Sequence, residues 1–227
     1  LDFVDTDASN CKGNLLLDKI FGAEVHIIKT LPDETLFDSK ERYMAYARSH
    51  MQKLEAAGHK CYSVPLGGSN FIGTTGFVAG YVELEEQLAA EGITADFIFH
   101  ANGSGGTMAG LAIGKKLLDS STTIISVDAA EHSACFMDEM VELGNAALQW
   151  LGSNANMTAN DFCMDEDFFA PGYEMPSEQG SAAIKLLARE EGILLDPVYS
   201  GKAFACFLDY VQKGKVPKGS NVIFWHT

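Results

Sequence analysis

Five consecutive small residues, Gly103, Ser104, Gly105, Gly106 and Thr107, form the stretch best suited to chemistry. A β-prone apolar run at 97–99 precedes them. From 108 to 117, apolar residues recur at helical spacing with small ones between. Strand, small-residue turn and helix N-terminus together make an anion cup. Glycine lets the backbone come close to a ligand. The first helical N–H groups lack internal partners and sit at the positive end of the helix dipole. A phosphate placed there is held by amides and by the Ser104 and Thr107 hydroxyls. The spacing matches neither the dinucleotide glycine fingerprint nor a P-loop. On local sequence two readings stay open: a phosphate cup, and a tight turn whose glycines serve packing.

A second glycine-rich turn, residues 65–70, leads into a helical pattern at 72–90. Ser69 and Asn70 are both N-cap candidates there. Gly73, Gly76 and Gly80 fall on one face of that helix, where something could pack closely.

The elements that must position these turns read as an alternation of strands and helices. Helical spacing covers 14–21, 39–57, 72–90, 108–117, 134–151, 177–188 and a last helix to about 212. Strand patterns cover 24–29, 61–64, 97–99, 124–128 and the final 221–227. Residues 1–10 are irregular and Pro32 marks a loop. Acids at 161, 165, 166 and 167 read as a solvated connection. Hydrophobic strands between helices predict an α/β protein, a three-layer αβα arrangement with a mainly parallel sheet. Ligands of such sheets bind at the carboxyl ends of strands, where the turns collect.

Composition narrows the partners. The chain has 227 residues, 47% hydrophobic and 21% charged, with a net charge of −15. That charge argues against nucleic acid and anionic membranes as partners. A bound phosphate therefore relies on local amide dipoles. No uncharged apolar run reaches membrane-spanning length. Five scattered cysteines without paired spacing suggest reduced thiols and a cytoplasmic setting. The six histidines show no metal-ligand spacing, so no metal is expected.

Three segments in order, 65–76 (PLGGSNFIGTTG), 102–110 (NGSGGTMAG) and 192–203 (GILLDPVYSGKA), carry a resemblance. So do PGYEMPSEQG at 171–180 and the final IFWHT. Together they resemble the D-cysteine desulfhydrase / 1-aminocyclopropane-1-carboxylate deaminase family, pyridoxal 5'-phosphate enzymes of fold-type II, tryptophan synthase β-like. The resemblance implies that residues 1–60 are a remnant of the small domain and 61–227 the large cofactor-binding domain. It implies that the cup Gly103–Thr107 holds the cofactor phosphate. It also implies that Tyr173 and Tyr199 flank the cofactor ring and substrate, and that Ser200 faces the pyridine nitrogen. Ser69 and Asn70 are taken as substrate contacts beside the same pocket. The resemblance further implies a small amino-acid substrate and a homodimer.

Two departures matter. Family members that open the cyclopropane ring are expected to carry Glu where Ser200 stands. A hydroxyl cannot supply that charge, which favours β-elimination giving pyruvate, ammonia and sulfide. The family's Schiff-base lysine lies N-terminal to every motif here. Lys12, Lys115, Lys116 and Lys202 do not stand in that motif; Lys115 and Lys116 read as solvent-facing and Lys202 as structural. The chain thus reads as a C-terminal fragment, inactive alone, of a lyase. The rivals are a deaminase or lyase of another amino acid, and a non-catalytic phosphate-binding α/β module.

Overall fold

The structure is a computed structural model that describes residues 12–29, 31, 36–130 and 132–227. The readings of residues 1–10, Cys11 and Pro32 lie outside the described residues. The chain divides into two compact units, Leu1–Ser63 and Val64–Thr227.

The first unit contains α1 (Gly13–Ile20) and α2 (Leu36–Ala56). The strands expected at 24–29 and 61–64 are not formed. An alternating pattern yields a strand only where a neighbour exchanges backbone hydrogen bonds, and no described residue pairs with either segment.

The second unit follows the expected alternation. Its elements are α3 (Phe71–Glu91), β1 (Phe97–Asn102), α4 (Gly106–Leu117), β2 (Thr123–Asp128), α5 (Phe136–Trp150), β3 (Met164–Asp165), α6 (Glu178–Glu190), α7 (Ser200–Gln212) and β4 (Val222–Trp225). The sheet order is β3-β2-β1-β4 and every pairing is parallel. Phe99, Ala101, Ile125 and Val127 face α7, packing on Ala203 and Cys206. Their alternates Ile98 and Ile124 face the other layer, against Tyr81 of α3 and Leu111 of α4. β1 is therefore covered on both faces, which explains its unbroken apolar run.

Glycines set the helix layer, though not the ones the spacing on α3 suggests. A Cβ at Gly110 would strike Phe77 of α3, and one at Gly114 would come within 2.6 Å of Tyr81 Cβ. Those two let α4 lie close on α3. Of the α3 glycines, Gly80 packs under the Trp225 ring of β4 and Gly73 under the Gly68 carbonyl, while Gly76 has nothing within 4 Å.

Two surface expectations are corrected. Asp165 is buried and accepts a hydrogen bond from the Tyr210 hydroxyl at 2.8 Å, so it belongs to short β3 and not to a solvated connection. Lys116 does not simply face solvent: it pairs with Asp161 at 2.6 Å. The Asp161 carboxylate also closes a capping box with Thr158. Cys61, Cys135, Cys163 and Cys206 are free thiols. Among the described residues no helix is long and apolar enough to cross a membrane.

Candidate active site

β1 ends at Asn102 and delivers the chain into the small-residue turn. Gly105 takes φ +88°, a left-handed conformation open to glycine at little cost. It is the N-cap of α4 and offers no capping side chain. The amides that begin α4 must find partners elsewhere. One partner is Ser69, which comes from the other glycine turn. The Gly106 N–H donates to Ser69 Oγ at 3.1 Å, and Ser69 Oγ lies 2.6 Å from Ser104 Oγ. Added Cβ atoms would close the cup: at Gly67 one would run into Ser104, at Gly105 into Met140, and at Gly106 it would stand 2.7 Å from Ser69 Oγ. Ser104 is exposed at the rim and Thr107 half-buried in the first helical turn.

Asn70 turns out to be the cap of α3, its Oδ1 accepting the Gly73 N–H at 2.8 Å. Of the two N-cap candidates, Ser69 is thereby left to reach the cup.

The third turn approaches the same place. Tyr199 Cε1 lies 3.2 Å from the point a Gly103 Cβ would occupy, so a side chain there would crowd that ring. The Tyr199 and Tyr173 hydroxyls are 2.7 Å apart, with ring centroids at 6.0 Å and an interplanar angle of 63°. Burial, the hydrogen bond with Tyr173 and nearby negative charge push the Tyr199 pKa well above its ordinary value. The hydroxyl therefore keeps its proton through the working pH range.

Ser200 opens α7 and is buried. Its Oγ donates to Asp196 Oδ1 at 2.6 Å and accepts the Asp196 N–H at 2.8 Å. Asp196 also takes the N–H groups of Val198, Tyr199 and Ser200 at 2.7, 2.8 and 2.8 Å. Burial opposes ionisation of Asp196, but these hydrogen bonds outweigh it and hold the carboxyl below its usual range. The two helix N-termini thus differ. At α7 the chain's own carboxylate accepts the first amides, whereas at α4 the Gly106 N–H is met by the Ser69 hydroxyl.

Lys202 lies one turn behind Tyr199, fully buried. Its Nζ donates to the carbonyls of Phe169 and Gly172 at 2.8 and 2.7 Å. It thereby anchors the loop that carries Tyr173. Burial lowers its pKa, with Asp128 opposing. Asp196 and Lys202 stand in the quoted 192–203 motif, and sequence reasoning did not single out either as part of the site. The available signals were an acid four residues before a helix-opening serine, and a lysine in an otherwise apolar stretch.

Against known proteins, the model of the family described as "Pyridoxal-phosphate dependent enzyme" matches residues 3–227. A D-cysteine desulfhydrase of Serratia proteamaculans is 36% identical over 228 residues, covering 99% of this chain and 65% of that protein. One of Klebsiella pneumoniae is 34% identical over 226 residues, with the same coverage. The chain therefore spans about two thirds of the length of the curated relatives it matches. A crystal structure of an ACC deaminase homologue superposes with a TM-score of 0.81 at 30% identity, covering 96% of this chain and 62% of that one. A hydrogen sulfide-producing enzyme from Fusobacterium nucleatum shares the fold at a TM-score of 0.55 and 18% identity, covering 98% of this chain and 67% of its own. With a family match along nearly its whole length and an αβα layer structure shared with these neighbours, the chain belongs to the pyridoxal-phosphate-dependent enzyme family.

Proposed function

We propose that the protein carrying this chain is a pyridoxal-phosphate-dependent lyase of small amino acids. Its reaction would be β-elimination on D-cysteine or a close analogue, with water entering and pyruvate, ammonia and sulfide leaving. The observation that carries this reading is the Tyr173–Tyr199 hydroxyl pair at 2.7 Å, set against the glycine edge of an anion cup. The residues fit the cofactor: a Cβ at Gly105 or Gly106 would fill the cup that takes the phosphate. The amides and hydroxyls of Gly103, Ser104, Gly105, Gly106 and Thr107 would hold that phosphate. Tyr199 would flank the ring, and Ser200 would meet the pyridine nitrogen. Bound there, the cofactor supplies the electron sink for the charge left when the α-proton departs.

The chain's own residues would do the rest. Tyr199, kept protonated, would hold a proton at the substrate end, with Tyr173 as its hydrogen-bond partner. Lys202 would keep Tyr173 in place through the 169–172 carbonyls. Ser69 and Asn70 would border the substrate. Ser200 is an uncharged hydroxyl held by Asp196, so it places no carboxylate of its own beside the ring nitrogen. That weakens the sink and suits a substrate with its own leaving group, such as the thiol of cysteine. The neighbour called an ACC deaminase homologue keeps ring opening as the second reading. By the family resemblance, the first 60 residues would belong to a small domain and 61–227 to a large one, in a cytoplasmic homodimer.

The test uses the full-length protein purified with pyridoxal phosphate. Ammonia and the 2-oxo acid (pyruvate, or 2-oxobutyrate from ring opening) are followed with D-cysteine, 1-aminocyclopropane-1-carboxylate, a sulfonated amino acid and diaminopropionate, and sulfide in addition with D-cysteine. D-cysteine should turn over fastest, and Tyr199→Phe should lower kcat about 100-fold or more with the cofactor band retained. A visible cofactor band with no D-cysteine turnover would sink the substrate assignment. Full activity in Tyr199→Phe would sink the role of the tyrosine pair.

A further inference from the structure

A cleft of about 330 Å³ in the first unit is lined by Glu24, His26, Tyr46, His50, Cys61 and Tyr62, among others. Inside it the ligand-type atoms of Glu24, His26 and His50 all lie within 4.8 Å of one another. His26 Nε2 stands 2.9 Å from Glu24 Oε1. It is nonetheless shielded from solvent and has no hydrogen-bond partner of adequate geometry. The other ring nitrogen, Nδ1, lies 2.8 Å from the Tyr46 hydroxyl. The His26 and His50 rings sit 4.7 Å apart by centroid, tilted by 56°.

This is how a ligating imidazole is held: one nitrogen is fixed by an outer hydrogen bond, and the other faces the ion. Two imidazoles and a carboxylate are also the donor set of a three-ligand Zn²⁺ site with one open position. Donors about 2 Å from one ion lie about 3.5 Å apart. Small side-chain rotations are then enough to draw these three together, since Glu24 is exposed and both histidines only half-buried.

We propose that Glu24, His26 and His50 form a divalent transition-metal site, Zn²⁺ being the ion the donors favour, with water completing the coordination. The ion ties the segment around 24–26 to α2. It gives the first unit a cross-link where, among the described residues, no strand pairs with that segment. The sequence showed no ligand spacing because two donors come from an extended segment and the third from a distant helix. Nothing in the proposal depends on the chemistry of the cup.

The experiment titrates the untagged full-length protein, stripped with a chelator, with Zn²⁺ against a chromophoric competitor. One ion per chain should bind. His26→Ala and His50→Ala should each weaken it about tenfold or more, and Tyr46→Phe by about tenfold, the size of a lost outer contact. His59→Ala, an exposed histidine outside the cluster, should leave affinity unchanged. Co²⁺ should give a visible d–d spectrum that is lost in the His26→Ala/His50→Ala double variant. Metal-free circular dichroism checks folding, and if one histidine variant fails to fold the other decides. No binding, or binding that survives both histidine changes unweakened, overturns the proposal.

Discussion

Among the described residues before Val64, only Leu15 and Tyr43 are buried apolar side chains, while β1 alone contributes Ile98, Phe99 and Ala101 to the interior of the second unit. Both regions carry β-type sequence, alternating at 24–29 and near-continuously apolar in β1 and β2. In the second unit those runs meet parallel neighbours and become a sheet with side chains buried on both faces. In the first, 24–29 finds no strand among the described residues, and Glu24 and His26 line an open cleft instead. A period of two therefore marks a segment able to pair. Whether it pairs depends on a partner the pattern does not reveal.

Two glycines with nearly the same backbone offer the sharpest break of that comparison. Gly58 in the first unit has φ +90° and nothing within 4 Å of an added Cβ. Gly105 in the second has φ +88°, and its Cβ would collide with Met140. Alanine at either site incurs the left-handed penalty, about 1 kcal/mol or somewhat more. Only Gly105→Ala adds overpacking, and because the atoms met first are the flexible end of buried Met140 the total is about 2 kcal/mol. Urea unfolding reads this when followed by far-ultraviolet circular dichroism, which reports the helices of both units, with tryptophan fluorescence as the probe of the second unit, where Trp150 and Trp225 both lie. Equal costs at the two sites would mean the second unit is no more tightly packed than the first.

How far the sequence revealed this division can be argued from the same residues. Gly103–Thr107 were legible as a strand-to-helix turn, because small residues between an apolar run and a helical pattern mark one, while local sequence left cup and packing turn both open. Ser177 is of the residue type that caps helices, and it opens the 177–188 pattern with its Oγ accepting the Gly180 N–H at 3.0 Å. What stayed hidden depends on distant partners. Asp165 looked like one surface acid among four, and its burial follows from Tyr210 on α7. The α3–α4 contact rests on Gly110 and Gly114, whose spacing is no more telling than that of Gly73, Gly76 and Gly80. The hydrogen bonds of Ser200 to Asp196 require a turn geometry that the motif letters do not encode.

Acid should open the second unit by a route visible at His100. The ring is fully buried in β1, with Nδ1 donating to the Ala101 carbonyl at 2.9 Å and Nε2 accepting from Ser126 Oγ at 2.7 Å. Burial lowers its pKa from 6.5 to about 4, the Ala101 hydrogen bond opposing. The folded pKa lies below the unfolded one. His100 therefore costs nothing above about pH 6.5, and stability falls as pH drops from there towards 4, because the unfolded chain takes up the proton first. The full loss is about 3 kcal/mol. Asp196, also lowered, contributes stability present above the ordinary carboxylate range and lost only at still lower pH. Urea midpoints measured from pH 7 to 4 should fall, and His100→Asn should flatten that slope while lowering stability at pH 7. An unchanged slope would mean the ring gains its proton without opening the sheet.

The smallest effect compares ionic contacts of the two units. Lys116 Nζ meets Asp161 at 2.6 Å, with side chains 31% and 22% exposed, while the Glu24 side chain beside His26 is 74% exposed. Burial opposes the charge on Asp161, but the bonds from Lys116 and Thr158 prevail and lower its pKa. The contact is partly open to water, so Lys116→Met should cost at most about 1 kcal/mol, and less at high salt. Glu24→Gln in metal-free protein should change unfolding by roughly nothing, since an exposed pair is offset by side-chain entropy and solvent. A double variant of Lys116 and Asp161 separates the pair's coupling from the loss of the Thr158 capping box. A coupling indistinguishable from zero would leave apolar packing and the α4 glycines, not surface charge, as what distinguishes the second unit from the first.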